Sequence, residues 1–186
     1  MPWHMMQWGN NHSARLYAEE GDRFFLDRLI ELSQEFGGAV HAYALMTNHG
    51  HLLRTPERAD SALLTMKPWG QRYVHDSNRT DKRRGALWEG RLRLCLTPSA
   101  DDGLACDRSI ALHPVRAGMA RYPRDDRWTR YRAHGEGEAD RLLPPHVESL
   151  LLGEDPQRRR EASRALFNTH LGEAVVQQIR EATNGM

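Results

Sequence analysis

The sequence predicts an α+β domain of ferredoxin-like type, an antiparallel sheet with helices packed on it, followed by a small helical C-terminal extension. Three observations predict this. The segments run in the order strand, helix, hairpin, helix, strand, helix, which suits an antiparallel sheet crossed by helices. Runs with apolar spacing of three and four residues alternate with short runs of strand character. Gly135-Glu136-Gly137-Glu138 reads as a linker, dividing a domain over 1–134 from an extension over 135–186.

Trp3-His4-Met5-Met6-Gln7-Trp8 precedes the turn signal Gly9-Asn10-Asn11 and reads as a strand. From Asp22 to Phe36, Phe24, Phe25, Leu29, Ile30, Leu32 and Phe36 fall on one helical face, and Gly37-Gly38 stops the helix. Ala39 to Met46 and His49 to Thr55 are two short strands joined at Thr47-Asn48, the signature of a hairpin. A helix capped by Asp60 carries Leu63, Leu64, Met66, Trp69 and Tyr73, with a kink or break expected near Lys67 because Pro68 lacks the backbone donor.

Asn78 to Gly85 is a basic loop, and Leu92 to Thr97 alternates apolar and polar residues as a strand does. Asp101-Asp102 offers N-cap chemistry for a helix through Leu112 that stops at His113-Pro114. Tyr122 to His134 is polar and aromatic, and two helical stretches, Pro145 to Leu152 and Asp155 to Thr183, complete the chain.

Composition narrows the function classes. At 186 residues and 39% hydrophobic content the chain can bury one core. It has no apolar run long enough to span a membrane and no signal-peptide pattern at Met1-Pro2-Trp3-His4, so a cytoplasmic protein without a membrane partner is expected. Cys95 and Cys106 form no CxxC pair, so any metal must take histidine or oxygen ligands. The net charge of +1 conceals an asymmetry: from Lys67 to Arg93 eight basic residues face three acidic ones, and from Gly135 onward nine acidic residues face six basic ones. A solvated face can carry such a run as well as a nucleic-acid site can.

His49-Gly50-His51 is the sharpest chemical feature. Residues i and i+2 on a strand project to one side, so both imidazoles face the same way and can bind a divalent ion. By spacing alone, a pair of core or surface histidines satisfies the pattern equally well.

Three separated motifs, VHAYALMTNHGHLL from Val40, ALWEGRLR from Ala86 and IALHPVRAGM from Ile110, resemble the HUH transposases of single-tyrosine type, in particular the REP-associated tyrosine transposases, over about Trp3 to Ala133. The resemblance implies an HUH endonuclease fold and a divalent metal, magnesium or manganese, on His49 and His51. It also implies cleavage and transfer of single-stranded or hairpin DNA by a helix-borne tyrosine, in a protein that is a monomer or a homodimer. Gly50 stands where the family usually has a bulky apolar residue, and Trp8 where it often has arginine.

The family's tyrosine falls on Ser109, and its asparagine four residues later falls on His113. One helical turn apart, Ser109 and His113 share a face. With His113 as third ligand the site becomes a three-histidine set suited also to zinc, nickel or cobalt; a helix-end histidine held by the dipole is the alternative. An aliphatic hydroxyl is a far poorer nucleophile and leaving group than a phenol with pKa about 10, so strand transfer is expected to be lost or severely reduced at Ser109, leaving a repurposed DNA-binding or regulatory protein as the alternative. None of Tyr17, Tyr43, Tyr73, Tyr122 and Tyr131 falls on the metal-facing helix, and Tyr43 and Tyr73 read as core. Expected DNA contacts are Arg72, Arg79, Lys82, Arg83, Arg84, Arg91 and Arg93 for phosphates, with Trp88 for base stacking.

Overall fold

A computed structural model of the chain describes residues 1–9, 19–58, 60–61, 88–97, 99–140, 150, 152–168 and 171–184. Four strands form one sheet: β1 (Trp3–Gly9), β2 (Gly38–Leu45), β3 (His49–Pro56) and β4 (Trp88–Leu96), in the spatial order β2-β3-β1-β4 with every pair antiparallel. Helix α1 (Glu19–Phe36) joins β1 to β2, and helix α2 (Ala100–Ala111) follows β4. The predicted α+β fold with an antiparallel sheet and packed helices is therefore the one observed.

Strand register decides what each face of the sheet carries, because directly opposed residues in an antiparallel pair project to the same side. His4 opposes Leu53 and Met6 opposes His51 across β1 and β3, while Ala44 opposes His51 and Ala42 opposes Leu53 across β2 and β3. His4, Met6, His49, His51, Leu53, Ala42 and Ala44 thus share one face. Met5, Tyr43, Leu45 and Leu52 occupy the other, where Phe25, Leu29 and Leu32 of α1 pack on them to form the main apolar core. On the histidine face the small Ala42 and Ala44 let α2 approach, and Cys106 and Ile110 seat against them and Leu53. One face is bound by apolar burial; the other is left partly polar, with α2 across it.

The α1–β2 connection depends on two glycines, Gly37 and Gly38, at φ 69° and 129°, which side-chain-bearing residues rarely adopt. The fully buried Arg54 donates to the Gly37 carbonyl at 2.5 Å, placing a cation at the helix C-terminus where the dipole favours it. At Gly50, by contrast, the backbone is compatible with any residue, and a Cβ would lie 3.5 Å from the Phe25 ring and 3.8 Å from Leu45, ordinary contact distances. Gly50→Ala is accordingly expected to stabilise the fold by about 0.5–1 kcal/mol through lower unfolded-state entropy and added packing, read as a melting temperature raised by a few degrees. An unchanged or lower value would contradict that account.

Several boundaries differ from the sequence expectation. The cap of α2 is Ser99, whose Oγ accepts from the Asp102 N–H at 3.1 Å while the Asp102 carboxylate accepts from the Ser99 N–H at 3.3 Å. This reciprocal capping box outcompetes a cap at Asp101 or Asp102 because it satisfies donors at both residues. The chain does not stop at His113-Pro114 either. It restarts in a short turn, α3 (His113–Arg116), with Pro114 in the first turn, where its missing N–H costs nothing. Strand β4 begins at Trp88, earlier than the alternation from Leu92 suggested, with an irregularity opposite Met6 to Trp8.

A π-helical turn over Arg132–Glu136 takes in Gly135 and Glu136, and the expected helix from Asp155 to Thr183 is two helices, α4 (Pro156–Asn168) and α5 (Glu173–Asn184), separated at Leu171-Gly172. Helix α4 packs on the π-helical turn, and α5 packs on β1, β4 and α2. The helix expected from Asp60 with Leu63, Leu64, Met66, Trp69 and Tyr73, the break at Pro68, the loop from Asn78 to Gly85 and most of Pro145 to Leu152 lie outside the described residues. No helix among the described residues is long and apolar enough to cross a membrane.

Candidate metal centre

Strand β3 presents His49 and His51 on the face that α2 and α3 cover, and the α2–α3 junction brings His113 over them. The two Nε2 atoms of His49 and His113 lie 3.1 Å apart. The rings of His49 and His51, 4.9 Å between centroids, and of His51 and His113, 4.7 Å, are turned edge to face. One nitrogen from each of the three falls within 4.8 Å of the others, and this is the group of such residues, among those described, that could hold an ion.

The donor set fits a metal on three further observations. Nitrogens each about 2.0–2.1 Å from one ion lie about 3.0–3.4 Å apart, which the His49–His113 separation already matches. His51 Nε2 is buried and has no hydrogen-bond partner, a cost that a protein rarely leaves unanswered and that a bound ion removes. His49 Nδ1 lies 2.6 Å from Asn48 Oδ1; the amide oxygen only accepts, so Nδ1 carries the proton and Nε2 keeps its lone pair for a ligand.

Burial keeps the His51 and His113 rings neutral. Burial is the largest cause pushing His51 well below the usual histidine value, with His4, His113, His49 and Arg116 adding to it. His113 is lowered to about 4 by burial first, then by the nearby Arg116, Arg180 and His4. A neutral imidazole is the ligating form, so near neutral pH neither ring needs to lose a charge to bind an ion.

A cavity of about 360 Å³ opens beside the cluster, and Ser109 and Arg116 line it with the histidines. Ser109 is buried, with its Oγ accepting from Arg116 Nη2 at 3.1 Å and its carbonyl accepting from the same nitrogen at 2.6 Å. The expectation that Ser109 and His113 face one site is met geometrically, but the serine oxygen is already engaged by a guanidinium. None of the described tyrosines lines this cavity. Tyr43 sits on the opposite face of the sheet and donates to Asp140 at 2.8 Å, and Tyr131 packs edge-on against Phe167.

The expected DNA-contact residues are less completely placed. Arg72, Arg79, Lys82, Arg83 and Arg84 lie outside the described residues, and Trp88 and Arg91 are on β4 with only their backbones described. Arg93, half-buried, opposes Met6 and therefore shares the histidine face. Sequence reasoning missed four residues that the fold brings to this region: His4 from β1, Arg116 within the Pro-Val-Arg-Ala-Gly element, and Arg180 and Thr183 from α5. Only Arg116 lay in a motif that could have singled it out.

No family model and no curated protein matches the chain. A solved structure of a REP-associated tyrosine transposase bound to a REP hairpin is similar in fold, with a TM-score of 0.63 and 14% identity, covering 78% of this chain and 86% of that one. At 14% identity the likeness is one of fold.

Proposed function

We propose that this chain is a transposase-like DNA-binding protein of HUH type in which His49, His51 and His113 hold a divalent metal ion that engages a phosphate of single-stranded or hairpin DNA. The observation that carries the reading is the convergence of three imidazoles, one with a buried and unpartnered Nε2, on a sheet of the same fold as a hairpin-bound transposase. Three nitrogen donors suit manganese, cobalt, nickel or zinc better than magnesium, which prefers oxygen. When bound, the ion supplies Lewis-acid polarisation of a phosphate oxygen.

The protein's own groups do the rest. The histidines orient the site, Arg116 and Arg180 bring positive charge to its cavity, and Ser109 occupies the place of the nucleophile. Strand transfer is lost or severely reduced in this reading, because the Ser109 hydroxyl is short, weakly acidic and held by Arg116. That same contact favours a second reading, a non-catalytic DNA-binding or regulatory protein. Residues 1–134 supply the three histidines and Ser109 in both, with 135–186 as a helical extension that adds Arg180 to the cavity. Arg72, Arg79, Lys82, Arg83, Arg84, Arg91 and Arg93 contact phosphates, and Trp88 stacks on a base.

Binding of a labelled hairpin with a single-stranded flank tests the proposal. If three or four of these cations meet phosphates, affinity should fall roughly 20- to 50-fold between 50 and 200 mM salt, following the single-strand slope. Absence of binding at low salt would remove the DNA reading and leave a metal-binding domain.

A further inference from the structure

We propose that His4 and Thr183 are positioning residues of the metal centre, and that through them the C-terminal helix sets which nitrogen of His51 is free to bind the ion. This inference rests on the metal reading above. Thr183 Oγ1 lies 2.7 Å from the Ile179 carbonyl oxygen, to which it donates, and 3.1 Å from His4 Nδ1. The hydroxyl has one proton, and the shorter contact is to an oxygen that can only accept. Its lone pair is therefore left for His4, so His4 Nδ1 carries a proton and donates. His4 Nε2 is then an acceptor.

His4 Nε2 lies 3.0 Å from His51 Nδ1, and the ring centroids are 5.3 Å apart, the separation of two imidazoles joined in line nitrogen to nitrogen. His51 must donate through Nδ1, which leaves its Nε2 unprotonated. That Nε2 is the buried atom without a hydrogen-bond partner. The chain from the Ile179 carbonyl through Thr183 and His4 thus ends in one tautomer of His51, with its lone pair presented to the cluster of His49 and His113.

Solvent does not disturb the relay, since His4 is 3% and Thr183 2% exposed. Ligating histidines in metal sites are held in this manner by a partner on the ring's other nitrogen. Here the partner is a second histidine, itself oriented from α5, which packs on β1 and β4. The extension over 135–186 accordingly contributes to the centre without touching the ion.

Thr183→Val keeps the shape and removes the hydroxyl; Thr183→Ser restores it. Cobalt and zinc affinity, measured by competition with a chromophoric chelator, should fall about 10- to 100-fold in T183V and stay within about threefold of the parent in T183S. In the metal-free protein, nitrogen-15 NMR should find His51 protonated on Nδ1 in the parent and in T183S, and a mixture of tautomers in T183V. A valine variant that matches the parent in affinity and tautomer overturns the proposal, as does a serine variant as weak as the valine one. Should T183V fail to fold, His4→Gln, which can accept from His51 and donate to Thr183, should keep the tautomer and affinity that His4→Leu loses. A parent that binds no metal but shows the Nδ1 proton retains the relay and defeats only the metal reading; a parent protonated on His51 Nε2 defeats the relay.

Discussion

Replacing His51 by alanine is expected to weaken cobalt or zinc binding on the order of 100- to 1000-fold, equivalent to about 3–4 kcal/mol. Loss of one of three imidazoles removes a ligand bond, and His51 is the ring whose Nε2 has no other partner. Because an ion that binds only the folded state stabilises it, chelation should lower the melting temperature of the parent and leave H51A unmoved. At an ion concentration 100 times Kd this stabilisation is about 2.7 kcal/mol.

The pH profile provides an independent check. His113 is held at about 4, its ordinary value being 6.5, so the neutral form persists as the solution is acidified. Protons then compete with the ion only as pH falls towards that value. The contribution of His113 to affinity should stay nearly level from about pH 8 to 6 and fall steeply below about pH 5, whereas a solvent-exposed histidine would weaken from about pH 6.5. H51A binding as tightly as the parent would remove the three-histidine site, and an affinity unchanged between about pH 6 and 4 would remove His113 from it.

Incubation with labelled hairpin DNA and manganese is expected to yield no covalent protein–DNA adduct. A phenol ionises near pH 10, several units below an aliphatic hydroxyl, so exchanging one for the other should slow transesterification at least about 1000-fold even with the substrate in place. The Ser109 hydroxyl is further occupied by Arg116 at 3.1 Å. An adduct that survives a denaturing gel would overturn this expectation. Nicking without an adduct would instead identify water as the attacking group.

Much of the architecture was legible in local pattern. The helix expected from Asp22 to Phe36 follows from apolar spacing alone, and the hairpin follows from two strand-like runs joined at Thr47-Asn48. Both need only contacts between near neighbours. The pair His49 and His51 was visible for the same reason, since period two on a strand fixes a common face. The break at Leu171-Gly172 was missed because the apolar pattern from Asp155 to Thr183 reads through it. The capping box at Ser99 was missed because acidic residues at 101 and 102 offered competing caps.

The site divides in the same way. Residue types and spacing determined that two histidines share a strand face, that a serine and a third histidine stand one turn apart on a helix, and that positive charge concentrates between Lys67 and Arg93. Tertiary structure decided that α1 and α2 cover opposite faces of the sheet, that His113 docks onto His49 at 3.1 Å, and that His4 stands behind His51. Thr183 completes that arrangement from 179 residues along the chain. Periodicity encodes which side of its own element a residue faces, whereas hydrogen-bond partners depend on strand register and helix docking, which are set by the burial of the whole core.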